Sequence, residues 1–266
     1  MLSFILSRPA IAEEVLKIGG TGYALGSMEL VAKGFEKANQ NVKVMVIFPS
    51  LGSGGGIKAV AKGVIDIGLS SRSLREEELK LGLSSIKTSK APLVFVTRKD
   101  VPISGLSTGE ITKIYRRETA TWPDGTRIRL VLRSKAEIDI LLVKKISPEM
   151  SHAVDTALTR EGMLVAMTDQ DCLDLLAKTP GGLALSTLTQ LVTEKRPLKI
   201  LSYNGVTPSI ETLADGSYPL FRELYLMTKK EPSGLVRKFI DFVRSSPGRK
   251  ILEEAGNLVI IGKSKG

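Results

Sequence analysis

Apolar and polar positions recur along the chain with two different periods, and the pattern predicts strands that alternate with helices. Residues 42–49 form an apolar, β-branched run in which Lys43 is the only charge, as is typical of a buried strand. After a glycine-rich turn, residues 57–63 place their apolar side chains on one face of a predicted helix. Residues 64–71 form a second apolar run. This part of the chain is therefore predicted to be a strand–loop–helix–strand unit.

The same order of strand, loop and helix occurs at the start of the chain. Residues 15–18 predict a strand, residues 19–22 a glycine turn and residues 25–39 an amphipathic helix. Two such loops on adjacent parallel strands would direct their backbone amides into one crevice. The first half of the chain therefore predicts two strand–loop–helix units whose loops lie side by side.

The rest of the chain continues the alternation. Residues 75–90 are polar and are predicted as a short helix followed by a loop. Further strands are predicted at residues 93–97, 127–132, 182–186 and 220–228, and helix caps at Ser107, Ser134, and Thr168 or Asp169. Because strands and helices alternate throughout, we predict an α/β fold with mainly parallel sheets.

A glycine-rich loop stands in the middle of the strand–loop–helix–strand unit. Residues 49–56 read PSLGSGGG; glycines let the backbone approach a ligand closely, and the first amides of a helix have no partner within it. The helix dipole adds positive potential there, so such a loop can capture an anion. Ser53 adds a hydroxyl, and Ser70, Ser71 and Arg72 follow the next strand at the edge where open α/β sheets bind ligands. Glycine turns of this kind also occur without a ligand, and that alternative stays open.

The amino-acid composition limits the functions that we expect of this chain. The 266 residues carry a formal charge of +10 and 5% aromatic residues, and no basic run is interleaved with aromatics, so binding of nucleic acid is not expected. Cys172 is the only cysteine and His152 the only histidine, which leaves no residues for a His-based zinc site or a Cys/His dyad. The glycine-rich loop fits neither a Walker motif nor a dinucleotide fingerprint. We therefore expect no metal, no cofactor and no catalytic residues.

Residues 1–12 are similar to part of an export signal. A short apolar run is followed by Ala10-Ile11-Ala12, which fits a small-x-small cleavage pattern, but the basic start and the ~7–15 apolar residues of a full signal are missing. We interpret the segment as a truncated signal and expect a periplasmic protein; an unstructured tail is the alternative. No later run reaches the ~18 apolar residues that a membrane-spanning helix needs.

Several segments together resemble one family. They read GGTGYALGSMELVAKGF, SLGSGGGIKAVAKGVIDIGLSSRSL, WPDGTRIRLVLR, GVTPSIETLADGSYPLFRELYLMT and FIDFVRSSPGRKILEEAG, and they span most of the chain. With them the chain resembles periplasmic substrate-binding proteins of the phosphate-transporter type, which have the two-lobed type II binding-protein fold. The resemblance implies mainly parallel sheets with helices on both faces and a cleft at the hinge. We assign residues 13–97 and 205–266 to a discontinuous lobe 1 and residues 98–204 to lobe 2.

The resemblance also implies a set of ligand-binding residues. Arginine suits an oxyanion because its planar guanidinium group donates two parallel hydrogen bonds. The family often has a carboxylate where this chain has Ser71, and Gly-Ser-Gly-Thr after the arginine where this chain has SKAEIDI. Glu137 and Asp139 of that segment would repel an anion if they faced the cleft, and an exposed Arg133 paired with Glu137 is the alternative. The family's binding motif selects Thr21, Gly22, Ser53, Gly54, Ser71 and Arg133.

These expectations define one function and two alternatives. The resemblance implies a solute-binding protein that captures a small inorganic oxyanion, phosphate or phosphate-like, and delivers it to the membrane permease of an ABC transporter. Backbone amides, hydroxyls and arginine would hold the anion, and the protein would be a monomer. The first alternative is a sensor or partner module of the same fold with a drifted or absent anion site. The second is an enzyme on a doubly wound sheet, such as a phosphotransferase, for which the chain offers no metal cluster and no nucleophile–base pair.

Overall fold

The computed structural model describes residues 13–260, and the predicted signal segment lies outside that range. The strands are β1 (Glu14–Gly20), β2 (Val42–Val46), β3 (Ile67–Ser70), β4 (Leu83–Arg98), β5 (Gly105–Leu106), β6 (Arg129–Arg133), β7 (Leu164–Ala166), β8 (Gly182–Thr187), β9 (Leu198–Ile200), β10 (Ser202–Tyr203), β11 (Phe221–Lys229) and β12 (Leu258–Val259). The α-helices are α1 (Leu25–Ala38), α2 (Gly52–Ala61), α3 (Glu76–Leu79), α4 (Thr108–Arg116), α5 (Ile138–Lys144), α6 (Pro148–Thr159), α7 (Asp169–Lys178), α8 (Leu188–Glu194), α9 (Ile210–Ala214), α10 (Gly234–Arg244) and α11 (Ser246–Glu254). A short 3-10 helix, Gly22–Ala24, leads into α1.

Strands β4 and β11 join two groups of parallel strands into one sheet. The strand order is β2-β1-β3-β11-β4-β8-β6-β7, with β9 and β12 also paired to β4. β1 is parallel to both β2 and β3, and β6 is parallel to both β7 and β8. β11 and β4 run antiparallel to each other and to the strands beside them. The α/β class with parallel strands that the sequence predicts is confirmed.

Two groups of buried side chains form the cores of two lobes. In lobe 1, strands β1, β2 and β3 pack against α1 and α10. In lobe 2, strands β6 and β8 pack against α4, α6 and α7. The chain passes from the first core to the second between Ala91 and Leu93 on β4, and it returns between Leu220 and Leu224 around β11. The lobe boundaries expected from the sequence stay predictions.

The first half of β4 corrects one expectation. The sequence predicts a short helix and then a loop over residues 75–90, but α3 is followed by β4 from Leu83 onward. This stretch is paired with β11 as far as Pro92, so its backbone amides and carbonyls have partners in the sheet. Pairing with a strand that lies far away in sequence overrides the weak strand propensity of a polar stretch.

Two helices begin elsewhere than the sequence predicts: α2 begins at Gly52, inside the turn predicted for residues 49–56, and α5 begins after Glu137. Ser107 and Thr168 cap α4 and α7 through capping boxes, as predicted. The cap of α5 is Glu137, whereas the sequence predicts Ser134. Because the helix begins later, residues 134–137 form a loop directly after β6. That loop places Glu137 beside the end of β6.

Candidate inter-lobe anion site

The loop after β1 and the end of β3 face each other. Gly20 has φ +150°, and a Cβ there would lie 2.0 Å from the carbonyl oxygen of Leu69, so only glycine lets β1 end this close to β3. The Thr21 amide donates to that carbonyl at 2.9 Å. The Thr21 hydroxyl then lies 3.0 Å from the Ser71 hydroxyl. The structure therefore brings these two predicted site residues together.

Ser53, in the first turn of α2, joins this pair. Helix α2 packs closely on β1 because Gly56 has no side chain, and a Cβ there would lie 2.9 Å from the nearest β1 backbone atom. The Ser53 hydroxyl accepts a hydrogen bond from the Ser71 amide at 2.9 Å. Beside Gly54 the space is open, since a Cβ there would meet no atom within 4 Å. The three predicted hydroxyls therefore form one group.

Arg222, which the sequence reasoning missed, connects this hydroxyl group to lobe 2. It lies on β11 and is 2% exposed. Its Nη2 donates to Thr21 Oγ1 at 2.8 Å and to Ser71 Oγ at 2.9 Å. Its Nη1 donates to Asp169 Oδ1 at 2.7 Å. One guanidinium therefore bridges two hydroxyls and a carboxylate.

Arg133 approaches the same carboxylate from lobe 2. Its Nη1 lies 3.0 Å from Asp169 Oδ1, and its Nη2 lies 3.3 Å from Glu137 Oε2. Asp139 Oδ1 lies 2.8 Å from Arg222 Nη1. Arg133 does pair with Glu137, but it is 4% exposed, so the alternative of an exposed arginine is wrong. We call Arg133, Glu137, Asp139, Asp169 and Arg222 the inter-lobe cluster.

Asp169 reaches the cluster because the first turn of α7 docks on the loop after β1. Gly22 makes this contact possible: a Cβ there would lie 2.6 Å from Asp169 Oδ2 and 2.7 Å from Gln170 Oε1. Gln170 Nε2 donates to the Gly22 carbonyl at 3.1 Å. The predicted site glycine thus lies against a carboxylate of the other lobe.

Burial and charge act against each other on these groups. Burial opposes ionisation of Asp169, but the Arg222 and Arg133 guanidiniums outweigh it and hold the pKa of this carboxyl below its usual value. Burial raises the pKa of Asp139. Burial lowers the pKa of Arg222, but the charges of Asp139 and Asp169 raise it by more than burial lowers it. The net pKa is therefore above its usual value, and Arg222 stays charged. The cluster therefore balances its two arginines with its own carboxylates.

Several polar atoms of this region lack a hydrogen-bond partner. Across residues 13–260, six buried side-chain nitrogen or oxygen atoms have none, and five of them lie in or beside the cluster. Asp139 Oδ1 is among them because its approach to Arg222 is off the hydrogen-bond direction. Buried groups without partners are rare in folded proteins, so this region has spare capacity to bind a polar ligand. The five atoms are Tyr23 Oη, Arg133 Nε, Asp139 Oδ1, Gln170 Oε1 and Arg222 Nε.

Ser70 and Arg72 make local contacts away from the cluster. The Ser70 hydroxyl donates to the Arg72 carbonyl at 2.8 Å and accepts from the Arg72 amide at 3.2 Å. The Arg72 guanidinium donates to both carboxylate oxygens of Glu78 at 2.7 Å, and this pairing lowers the pKa of Glu78 to about 2. Direct ligand contact by Ser70 or Arg72 stays a prediction.

Comparison with known proteins identifies the family. Residues 7–247 match the sequence profile described as the PBP superfamily domain. The chain belongs to the PBP superfamily. Within it, the phosphate-binding protein PstS of Borreliella burgdorferi is 28% identical over 260 residues, which cover 93% of this chain and 91% of that protein. The PstS protein of Bacillus subtilis is 24% identical over 241 residues, covering 88% and 77%.

A solved structure shows the same fold. It is a putative phosphate ABC transporter substrate-binding protein with bound phosphate from Clostridium perfringens, with a TM-score of 0.78 and 20% sequence identity. The match covers 93% of this chain and all of that one. The PBP fold expected from the sequence is therefore confirmed, including its two lobes.

Two further properties of residues 13–260 concern membranes and metal ions. None of the helices in this range combines the length and the apolar character that a membrane span requires. In the same range, no three His, Cys, Asp or Glu side chains group in a way that could hold a metal ion. Burial raises the pKa of the Cys172 thiol to about 12, which keeps it protonated and unreactive at neutral pH.

Proposed function

We propose that this protein captures a small tetrahedral oxyanion, phosphate or a close analogue, between its lobes and delivers it to the permease of an ABC transporter. One observation carries the proposal. Arg133 on β6 and Arg222 on β11 converge on a single carboxylate oxygen, Asp169 Oδ1, at 3.0 and 2.7 Å. A carboxylate held by two guanidinium groups occupies the position that an oxyanion would take.

The neighbouring groups suit the same ligand. Thr21 and Ser71 hydroxyls bracket Arg222, and Ser53 lies beside them at the start of α2, where helix amides add positive potential. Gly22 and Gly54 leave the backbone accessible to a ligand. The PstS relatives are named as phosphate-binding proteins, which supports phosphate as the ligand.

Binding requires the Asp169 carboxylate to leave. The lobes open, α7 moves away from the loop after β1, and the oxyanion takes the place of the carboxylate between the two arginines. Asp139 Oδ1, which has no hydrogen-bond partner among the described residues, then accepts a hydrogen bond from the protonated oxygen of hydrogen phosphate, because Ser71 offers no carboxylate for this role. Closure over the ligand follows because the closed state binds it better.

In this transport role the protein is periplasmic and does not catalyse a reaction. A binding protein for a permease works in the periplasm, in agreement with the signal-like residues 1–12. The ligand is bound and released unchanged, and no side chain of the cluster acts as a nucleophile. The protein acts as a monomer.

A second candidate is a sensor or partner module that binds no anion. It is favoured by the charges of the cluster, since its three carboxylates compensate both arginines without a ligand. In that case the carboxylates replace the ligand permanently and hold the lobes closed.

Isothermal titration calorimetry with phosphate tests the first candidate against the second. We expect wild-type protein to bind phosphate, Arg222→Gln to bind about 100-fold more weakly because charged hydrogen bonds are lost, and Asp169→Asn to bind about tenfold more tightly because the competing charge is gone. Arg98→Gln is the control, since Arg98 is the last residue of β4 and pairs with Asp100 away from the cluster. If neither wild type nor Asp169→Asn binds phosphate, sulfate, molybdate or tungstate at millimolar concentration, the module replaces the transport function.

A further inference from the structure

Lobe 2 carries a second concentration of arginines, far from the inter-lobe cluster. Arg117, Arg127, Arg129 and Arg160 line a hollow of about 280 Å³, with apolar side chains of β6 and β7 beneath them. We call these four residues and the space between them the arginine hollow. Glu161 is the one acidic residue that lines it.

Three different parts of lobe 2 supply the four arginines of the arginine hollow. Arg117 and Arg160 follow the last turns of α4 and α6. Arg127 and Arg129 are two positions apart on the extended segment that enters β6, so their side chains leave the same face. Arg129 Nη1 donates to the Pro180 carbonyl at 2.9 Å, which fixes that guanidinium at the rim. Arg160 is fixed in the same way, by a 2.8 Å bond to the Tyr115 carbonyl.

The positive charge of the hollow is not compensated. Within residues 13–260, no ion pair joins any of its four arginines to a carboxylate. Burial and the nearby Arg117 lower the pKa of Arg160, so two of the guanidiniums are close enough to repel each other. Four like charges around one concave space, facing a single carboxylate, attract a multiply charged anion.

The hollow is separate from the inter-lobe cluster. Arg129 is the first residue of β6 and Arg133 is the last. Four steps along the strand separate them by about 13 Å. Ligands of parallel sheets bind at the carboxyl ends of the strands, where Arg133 lies, whereas the hollow lies at the opposite end. Binding at one site can therefore be measured without occupying the other.

We propose that the arginine hollow binds a small anion with more than one phosphate charge, of which pyrophosphate is the simplest. Each guanidinium group can donate two parallel hydrogen bonds to phosphate oxygens. Four guanidinium groups also carry more positive charge than the single carboxylate can neutralise. The volume of the hollow admits a small anion but not a large cofactor.

The single tryptophan provides a local signal for this site. Trp122 is the only tryptophan of the chain, and it is buried. It lies in the turn between Ala120 and Ile128, two residues that line the hollow and are joined by a 2.8 Å backbone hydrogen bond. Its indole donates to the Gly181 carbonyl at 3.0 Å, so the ring has one fixed environment. An anion that draws the arginines inward alters that environment.

The experiment titrates pyrophosphate into the full chain at constant ionic strength and records Trp122 fluorescence. We expect a saturable, one-to-one change for wild type and at least tenfold weaker binding for the double variant Arg117→Gln/Arg127→Gln. Neither of these two side chains has a hydrogen bond among the described residues, so the double variant should fold normally, and circular dichroism checks this. The double variant Arg244→Gln/Arg249→Gln is the matched control, since these two side chains likewise have no hydrogen bond among the described residues but lie on α10 and α11 in lobe 1. Arg222→Gln should leave the titration unchanged.

Three outcomes would overturn the proposal. They are no saturable change in wild type, an equal change with sodium chloride alone, and unchanged affinity in the double variant. A titration lost in Arg222→Gln but kept in Arg117→Gln/Arg127→Gln would assign the signal to the inter-lobe cluster instead. Failure here leaves the oxyanion function untouched, because phosphate binding in the cleft depends on different residues.

Discussion

The inter-lobe cluster and the arginine hollow both gather arginines, but they treat the charge in opposite ways. In the cluster, Arg133 and Arg222 are buried and each is bonded to aspartate. In the hollow, four arginines face solvent and no carboxylate pairs with them among the described residues. Burial makes an unpaired charge too costly, so the cluster had to bring its own counter-ions. Solvent screens the hollow, so its charge is left for a ligand.

The two sites differ in what a ligand would have to displace. A ligand of the cluster would compete with a carboxylate of the protein, whereas a ligand of the hollow would compete only with water and salt. The affinity of the cleft would therefore be the difference between the free energy gained when the ligand binds the arginines and the free energy lost when the carboxylate leaves them. The affinity of the hollow would fall as salt is added. Four substitutions test this contrast, in order of expected effect.

The largest effect is expected from Asp169→Ala. It leaves Arg133 and Arg222 buried with fewer counter-charges, and removing one partner of a buried ion pair costs about 3–5 kcal/mol. Urea denaturation measures the loss, and phosphate should stabilise the variant more than it stabilises wild type. Asp174→Ala is the control on the same helix, because its pair with Arg196 is half exposed and should cost about 1 kcal/mol or less. Equal losses in the two variants would refute the special role of the cluster.

Gly22→Ala should destabilise the closed form. The added Cβ would lie 2.6 Å from Asp169 Oδ2, and this carboxylate is held in place by two arginines, so overpacking should cost about 1–3 kcal/mol. Small-angle scattering should show a more open molecule. Gly54→Ala is the matched control, because its Cβ meets nothing within 4 Å, and it should be neutral or slightly stabilising. A compact Gly22→Ala protein with wild-type stability would show that α7 does not dock there.

Glu78→Gln tests a pair of intermediate burial. The ordinary pKa of glutamate is 4.5, and Arg72 lowers that of Glu78 to about 2. A lowered pKa stabilises the fold above pH 4.5, and the contribution disappears as the pH falls toward 2. Allowing for solvent screening, we expect a loss of about 1 kcal/mol at pH 7 that vanishes near pH 2. Acid and urea titrations measure it, with the exposed Glu77→Gln as a control that should change little.

Arg127→Gln should have the smallest effect on stability. Its side chain is exposed and unpaired in the part of the chain described, so the free energy of unfolding should stay within about 0.5 kcal/mol of wild type. Added salt should stabilise wild type slightly more than the variant, because salt screens the repulsion that the substitution already removes. A loss above about 1 kcal/mol would mean that the hollow is held by internal pairing after all.

The sequence predicts that the lobe 1 residues Thr21, Ser53 and Ser71 lie next to each other, because their positions depend on local signals. Glycines around Thr21 and Ser53 mark strand-to-helix turns, and parallel strands bring such turns to one edge. The structure accordingly places Thr21 Oγ1 3.0 Å from Ser71 Oγ. No comparable signal separates Ser70 and Arg72, which follow the same strand but turn away to local partners.

Arg222 escaped prediction because its partners are distant in sequence. It lies 201 positions from Thr21 and is held in place by the packing of β11 between the two lobes. A usable signal was present: Arg222 shares the buried face of β11 with Leu224 and Leu226, and an arginine on an apolar strand face needs a counter-ion. Asp169 was also missed, because a position beside the cap Thr168 is more simply interpreted as part of the capping.

The antiparallel pairing of β4 with β11 makes lobe 2 an insertion within lobe 1. Pro92 and Phe221 are opposite each other in the ladder, so the chain departs and returns at neighbouring points. Their Cα atoms are separated by about 5 Å, a gap that a two-residue hairpin turn can splice. Excising the residues between them would yield a miniature protein that keeps Arg222 and the hydroxyls of lobe 1. That half-site, freed of its aspartates, would show what the arginine binds when nothing competes for it.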